Sequence, residues 1–91
     1  MAGYGHENAM TTPESIKRAI EAGFACEHVR VVGDGQHFEA LIVSNVFEGL
    51  PKVQRHQRVY AALGDRMREE VHALSMKTLT PAEWLLRRGD A

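Results

Sequence analysis

The side chains of this 91-residue chain best suited to chemistry are five histidines and one cysteine. Imidazole is both a common metal ligand and the side chain that changes charge near neutral pH. Cys26 is alone, so it can form neither an internal disulfide nor a cysteine-only metal site. Any metal held here therefore needs imidazoles or a second molecule. His37 and His72 each lie beside a turn, where function tends to concentrate, yet they are too far apart in sequence to match a self-contained metal motif. His56 falls within a helical pattern, and His6 and His28 have no evident partner in sequence. Lys52, Arg55 and Arg58 recur at i, i+3 and i+6 as a basic stripe. Such a stripe is usually a solvated helix face, and its functional readings are contact with phosphate or with an acidic partner. No nucleophile, base and orienting group occur together, and no glycine loop suited to cradling phosphate appears, which argues against a free-standing enzyme.

The elements that must position these residues follow from local pattern. Residues 1–10 are glycine-rich, polar and without periodicity, and are expected to be a disordered tail preceding a single domain over 11–91. Thr12 with Pro13 opens a helix that places Ile16, Ala19 and Ile20 on one face and stops at Gly23, with Phe24 pinning its end to the core. Val29, Val31 and Val32 read as a strand. Gly33 to Gln36 supplies a hairpin turn into a second strand, from about His37 to Ser44, which is apolar on both faces and so predicted central or covered. After a turn at Phe47 to Pro51, a helix carries Val53, His56, Val59, Tyr60 and Leu63, with His56 on its apolar face. Gly64 ends it, and Asp65 caps a shorter helix to about Glu70. Val71 to Thr78 reads as a third strand with His72, Leu74, Met76 and Thr78 on one face. Thr80 to Glu83 is a capping box that opens a last helix carrying Trp84 and ending in Arg87 and Arg88.

This order, α-β-β-α-α-β-α, is that of an α+β domain with helices packed on a three-stranded mixed sheet. The second strand reaches the third through a helical crossover, so the two are expected to run parallel. Their starts then share one sheet edge, which brings His37 and His72 within reach of one metal. Net charge of -1 and a hydrophobic fraction of 44% describe an ordinary globular chain whose bulk charge favours neither nucleic acid nor membrane. No apolar run approaches the roughly 20 residues that span a bilayer, and the first residues lack a signal-peptide layout, so a cytoplasmic location is expected.

Three stretches resemble the BolA family closely: GDGQHF from Gly33 to Phe38, VFEGLPKVQRHQRVYAAL from Val46 to Leu63, and VHALSMKTLTPAEW from Val71 to Trp84. The resemblance implies a BolA-like fold, similar to class II KH domains, and a partner, a monothiol glutaredoxin of the Cys-Gly-Phe-Ser type, with which a 2Fe-2S cluster is shared. It implies His72 as the cluster ligand at the start of the third strand and His37 as the second ligand, from the loop position that is cysteine in other branches. Two neutral imidazoles make half of a 2Fe-2S site, so a glutaredoxin cysteine and glutathione would complete it, and no cluster is expected to stay tightly bound to the isolated chain. The helix from Lys52 to Leu63 and the segment after Met76 would form part of the docking surface, with Lys52, Arg55, His56, Arg58 and Lys77 as contact residues. Other family members are described as transcriptional regulators linked to stress and cell shape. The alternative reading is thus a DNA-binding regulator using the helix pair from Pro51 to Glu70 and its basic stripe. Against it stand a pI near 6.5 and the absence of a KH-type Gly-x-x-Gly loop. Whether the free chain is a homodimer is not set by the sequence.

Overall fold

The computed structural model describes residues 11–64 and 73–90. The element order is α1 (Pro13–Gly23), β1 (His28–Gly33), β2 (Phe38–Val43), a 3-10 turn at Asn45–Phe47, α2 (Lys52–Leu63), β3 (Leu74–Leu79) and α3 (Pro81–Asp90). The strands form one mixed sheet in the order β1-β2-β3, with β1 antiparallel to β2 and β2 parallel to β3. The expected α+β fold, with helices on a three-stranded mixed sheet, is thus observed. The short helix expected after Asp65 and the first two residues of the expected third strand, Val71 and His72, lie outside the described residues, as does the segment 1–10.

The helix starts are dictated locally. At α1 the Thr12 hydroxyl accepts from the Ser15 amide, the Ser15 hydroxyl accepts from the Thr12 amide, and Pro13 occupies the first turn, where a missing N–H costs nothing. At α3 the Thr80 hydroxyl accepts from the Glu83 amide and the Glu83 carboxylate accepts from the Thr80 amide. Where α1 ends, Gly23 lies directly against Ala62 of α2, an approach that leaves no room for a Cβ. Phe24 then meets Phe47 edge to face at 5.6 Å, pinning the end of α1 as expected.

The core lies between α1, α2 and one face of the sheet: Ile16, Ile20, Val29, Phe38, Ala40, Ile42, Phe47, Val59 and Leu63 are all buried together. Alternation along the strands puts His28, Val43 and Leu79 in one row on the opposite face. Val43 is nevertheless fully buried there, at the end of the sheet where Trp84 of α3 stacks on the His28 ring at 5.1 Å. β2 is therefore central and covered on each side at its end, which is why it reads as apolar on both faces.

One expected face is wrong. Val53 is 66% exposed and Tyr60 is 43% exposed, whereas Val59 and Leu63 are buried. The buried stripe of α2 runs through Val59 and Leu63 and takes in the half-buried His56, as expected, whereas Val53 and Tyr60 lie on its flank. The apolar spacing of Val53 and Tyr60 is real, but a helix crossing a small sheet buries only the residues nearest the strands.

Replacing Ile20, fully buried between α1 and the sheet, with alanine should destabilise the fold by about 2–5 kcal/mol. Equilibrium urea unfolding monitored by circular dichroism would measure it.

Candidate functional site

Two ends of the sheet carry the residues of interest. At the first, β1 turns into β2 through Asp34, Gly35, Gln36 and His37. One Asp34 carboxylate oxygen accepts from the backbone amides of both Gln36 and His37, each at 2.9 Å, and the Asp34 amide donates to the His37 carbonyl. Gly35 takes φ +96°, a conformation that favours glycine. Donation from the His37 and Gln36 amides holds the Asp34 carboxyl below its ordinary range. This turn fixes the backbone of His37 and leaves its side chain exposed.

Phe38 pairs with Leu74 in the parallel β2–β3 ladder, so the residues before them, His37 and Ala73, come to the same end of the sheet. His72 precedes Ala73 in the sequence and lies outside the described residues. The strand orientation expected to unite the two histidines is observed. Cys26 is at the other end: the next residue's amide, that of Glu27, donates to the Val43 carbonyl. The β2 strand between spans about 17 Å at ~3.3 Å per residue. The Cys26 thiol donates to the Phe24 carbonyl, and burial, with the Glu21 carboxylate nearby, pushes its pKa up. Among the described residues no group of three or more His, Cys, Asp or Glu side chains could hold a metal. His37 can thus offer an imidazole to a site completed elsewhere, and Cys26 cannot join it.

At the second end, the start of α2, the end of β3 and the start of α3 converge on Arg55. Its guanidinium donates to the Leu50 carbonyl at 2.8 Å, to the Thr78 carbonyl at 2.9 Å, and through both terminal nitrogens to the Glu83 carboxylate at 2.8 and 3.3 Å. It also lies over the Phe47 ring, 5.9 Å from its centre. Arg55 is only 14% exposed. The expected solvated stripe of Lys52, Arg55 and Arg58 is therefore broken at its middle. Arg55 turns inward because the carbonyls of Leu50 and Thr78 and the carboxylate of Glu83 satisfy its planar fork. Arg58 faces the groove between α1 and α2, beside Ala19 and Ala62. Lys52 and Lys77 meet instead around a groove of about 540 Å³ between α2, β3 and α3, where Arg87, which sequence reasoning did not single out, joins them.

His56 is half-buried, and its Nε2 is shut away from solvent without a hydrogen-bond partner among the described residues. Burial, reinforced by the nearby Lys52 charge, lowers its pKa. The ring is accordingly neutral near pH 7, and His56 adds no positive charge to a contact surface. His28, given no partner from sequence, finds one in Trp84.

Residues 12–83 match the family described as BolA-like protein. The chain belongs to this family. It is 36% identical over 70 residues to the acid stress protein IbaG of Escherichia coli strain K12, a match covering 76% of this chain and 83% of that protein. It is 44% identical over 52 residues to the DNA-binding transcriptional regulator BolA of Haemophilus influenzae, covering 57% of this chain and half of that protein. The solved structure of a BolA homologue from Coxiella burnetii superposes with a TM-score of 0.68 at 46% identity, covering 82% of this chain and 97% of that one. The BolA-like fold and family expected from the three motifs are thereby shown. Among the described residues, no helix is long and apolar enough to cross a membrane.

The Glu83 carboxyl is held below its ordinary value of 4.5, chiefly by the Arg55 hydrogen bonds and then by the Thr80 amide. A depressed carboxyl pKa stabilises the fold above the unfolded value and withdraws that stabilisation as pH falls through the folded one. Stability of the wild type should therefore decline below about pH 4.5, and Glu83→Gln should flatten that decline in thermal melts taken across the acid range. Arg55→Met, which strands the Leu50 and Thr78 carbonyls, should cost about 1–3 kcal/mol at neutral pH in urea unfolding.

Proposed function

We propose that this BolA-family chain is a non-enzymatic adaptor that binds a monothiol glutaredoxin of the Cys-Gly-Phe-Ser type and supplies imidazoles to a 2Fe-2S cluster shared with it, serving iron-sulfur assembly, delivery or iron sensing. The observation that carries this reading is the parallel pairing of β2 with β3, which sets His37 at the same sheet end as Ala73, the residue following His72. The donor set fits a shared site. His37 is exposed on a rigid turn, and Cys26 is turned into the chain at the opposite end, so thiolates must come from outside. A glutaredoxin cysteine and glutathione are suited to that role. The bound cluster would supply electron- and iron-transfer chemistry, and imidazole ligation in place of thiolate favours release on protonation. The chain's own part is to present the His37 ring from a fixed backbone and to leave its outer side open to the partner.

Mixing the protein with a monothiol glutaredoxin, iron, sulfide and glutathione should alter the visible absorption of the glutaredoxin's own cluster, and His72→Ala should abolish the change. Identical spectra for wild type and His72→Ala would overturn the reading.

A second reading is favoured by the regulator named among the relatives: a DNA-binding role, with the exposed Lys52 and Arg58 on phosphate. With Arg55 committed inside the fold, that surface is weaker than the stripe suggests. It predicts a mobility shift of duplex DNA at low salt that is lost in Lys52→Ala/Arg58→Ala, and an unshifted duplex at low salt removes it.

A further inference from the structure

The groove at the Arg55 end of the sheet combines an apolar lining with basic side chains at its edges. Leu50, Pro51 and Leu79 line it with apolar surface, and Lys52, Lys77 and Arg87 stand around it. All three cations are exposed, and none forms an ion pair among the described residues. The one carboxylate in the groove, Glu83, is neutralised by Arg55. The positive charge of Lys52, Lys77 and Arg87 is therefore uncompensated by any described residue in the groove, in a chain whose net charge is -1. The backbone adds to it. The N-cap of α2 is Pro51, which offers no side-chain cap, and no acidic residue occupies the first turn, so the amides of Lys52, Val53 and Gln54 open toward this end without an acceptor among the described residues. By contrast, α1 and α3 each carry a capping box and an acidic residue in the first turn.

Arg55 makes this groove rigid. By holding Leu50, Thr78 and Glu83 at once it fixes the start of α2, the end of β3 and the first turn of α3 in one arrangement. Little ordering remains to oppose binding.

We infer that this groove is a second docking site, which takes an acidic peptide segment of a partner protein with its carboxylates on Lys52, Lys77 and Arg87 and its apolar side chains against Leu50, Pro51 and Leu79. Charge complementarity selects the acidic segment, and the apolar lining favours a peptide over a nucleic-acid backbone, which offers no hydrophobic side chain to the floor. The groove lies at the end of β3, whereas His37 lies at the start of β2, about 17 Å away along the sheet at ~3.3 Å per residue. The family resemblance implied Lys52 and Lys77 as glutaredoxin contacts; here they serve a second partner instead, whose segment, seated in the groove, leaves His37 open.

The test uses the full chain and a fluorescein-labelled peptide of sequence Glu-Leu-Glu-Glu-Leu-Glu, with its glutamine counterpart, read by fluorescence anisotropy. The glutamate peptide should bind at least tenfold more tightly than the glutamine peptide. Lys77→Glu/Arg87→Glu, two exposed positions whose folding is checked by circular dichroism, should weaken binding at least tenfold, and His37→Ala should leave it unchanged. Equal affinity for the two peptides, no loss in the double variant, or loss in His37→Ala would each overturn the inference. So would preferential binding of a 12-base-pair DNA duplex that is lost in the same double variant, because the groove would then be a phosphate-backbone site.

Discussion

Two parallel strands cannot be joined by a tight turn, and the pairing of β2 with β3 obliges the chain between them to travel back along the whole sheet. α2 makes that return, and its packing over Val29, Phe38 and Ile42 closes the core. Everything of functional interest is arranged by this constraint. The starts of β2 and β3 share an end, which sets His37 beside Ala73. The start of α2 and the end of β3 share the other, which sets Arg55 beside Thr78. Had the two strands been antiparallel, His37 would lie opposite the end of β3, and no metal could reach both starts.

The Arg55 network deals with a difficulty the topology creates. At the second end, α2 begins with unpaired amides, β3 finishes with the Thr78 carbonyl, and α3 leaves at once after Thr80. A guanidinium suits this junction because its planar fork reaches several acceptors without bending. Glu83 answers twice, capping α3 through the Thr80 amide and pairing with Arg55. A lysine could meet one of these acceptors but not the set. The network is structural in its contacts, yet by neutralising Glu83 it leaves Lys52, Lys77 and Arg87 to define the electrostatic character of the surrounding groove.

Features decided within a few residues were legible in the sequence. The capping pairs Thr12–Ser15 and Thr80–Glu83, the turn at Asp34 and Gly35, and the alternation of Leu74, Met76 and Thr78 all depend on neighbours in the chain. The parallel order followed from connectivity, and the BolA motifs from their residues. What escaped was set by contacts across the fold. Arg55 looked like a member of a surface stripe because its pairing with Glu83, 28 positions away, has no local signature. Val53 and Tyr60 carry the spacing of a buried face, and only the position of α2 over the sheet shows that Val59 and Leu63 take that place. Arg87 gained its setting in the same way, from the groove that α3 forms with β3 and α2.

The stack of His28 on Trp84 joins the first strand of the sheet to the last helix. Trp84 is the only tryptophan in the chain, so its emission comes from that one junction. The protein thus holds an intrinsic optical probe at the seam between sheet and C-terminal helix, with no label to disturb it. Its colour follows the wetness of the seam.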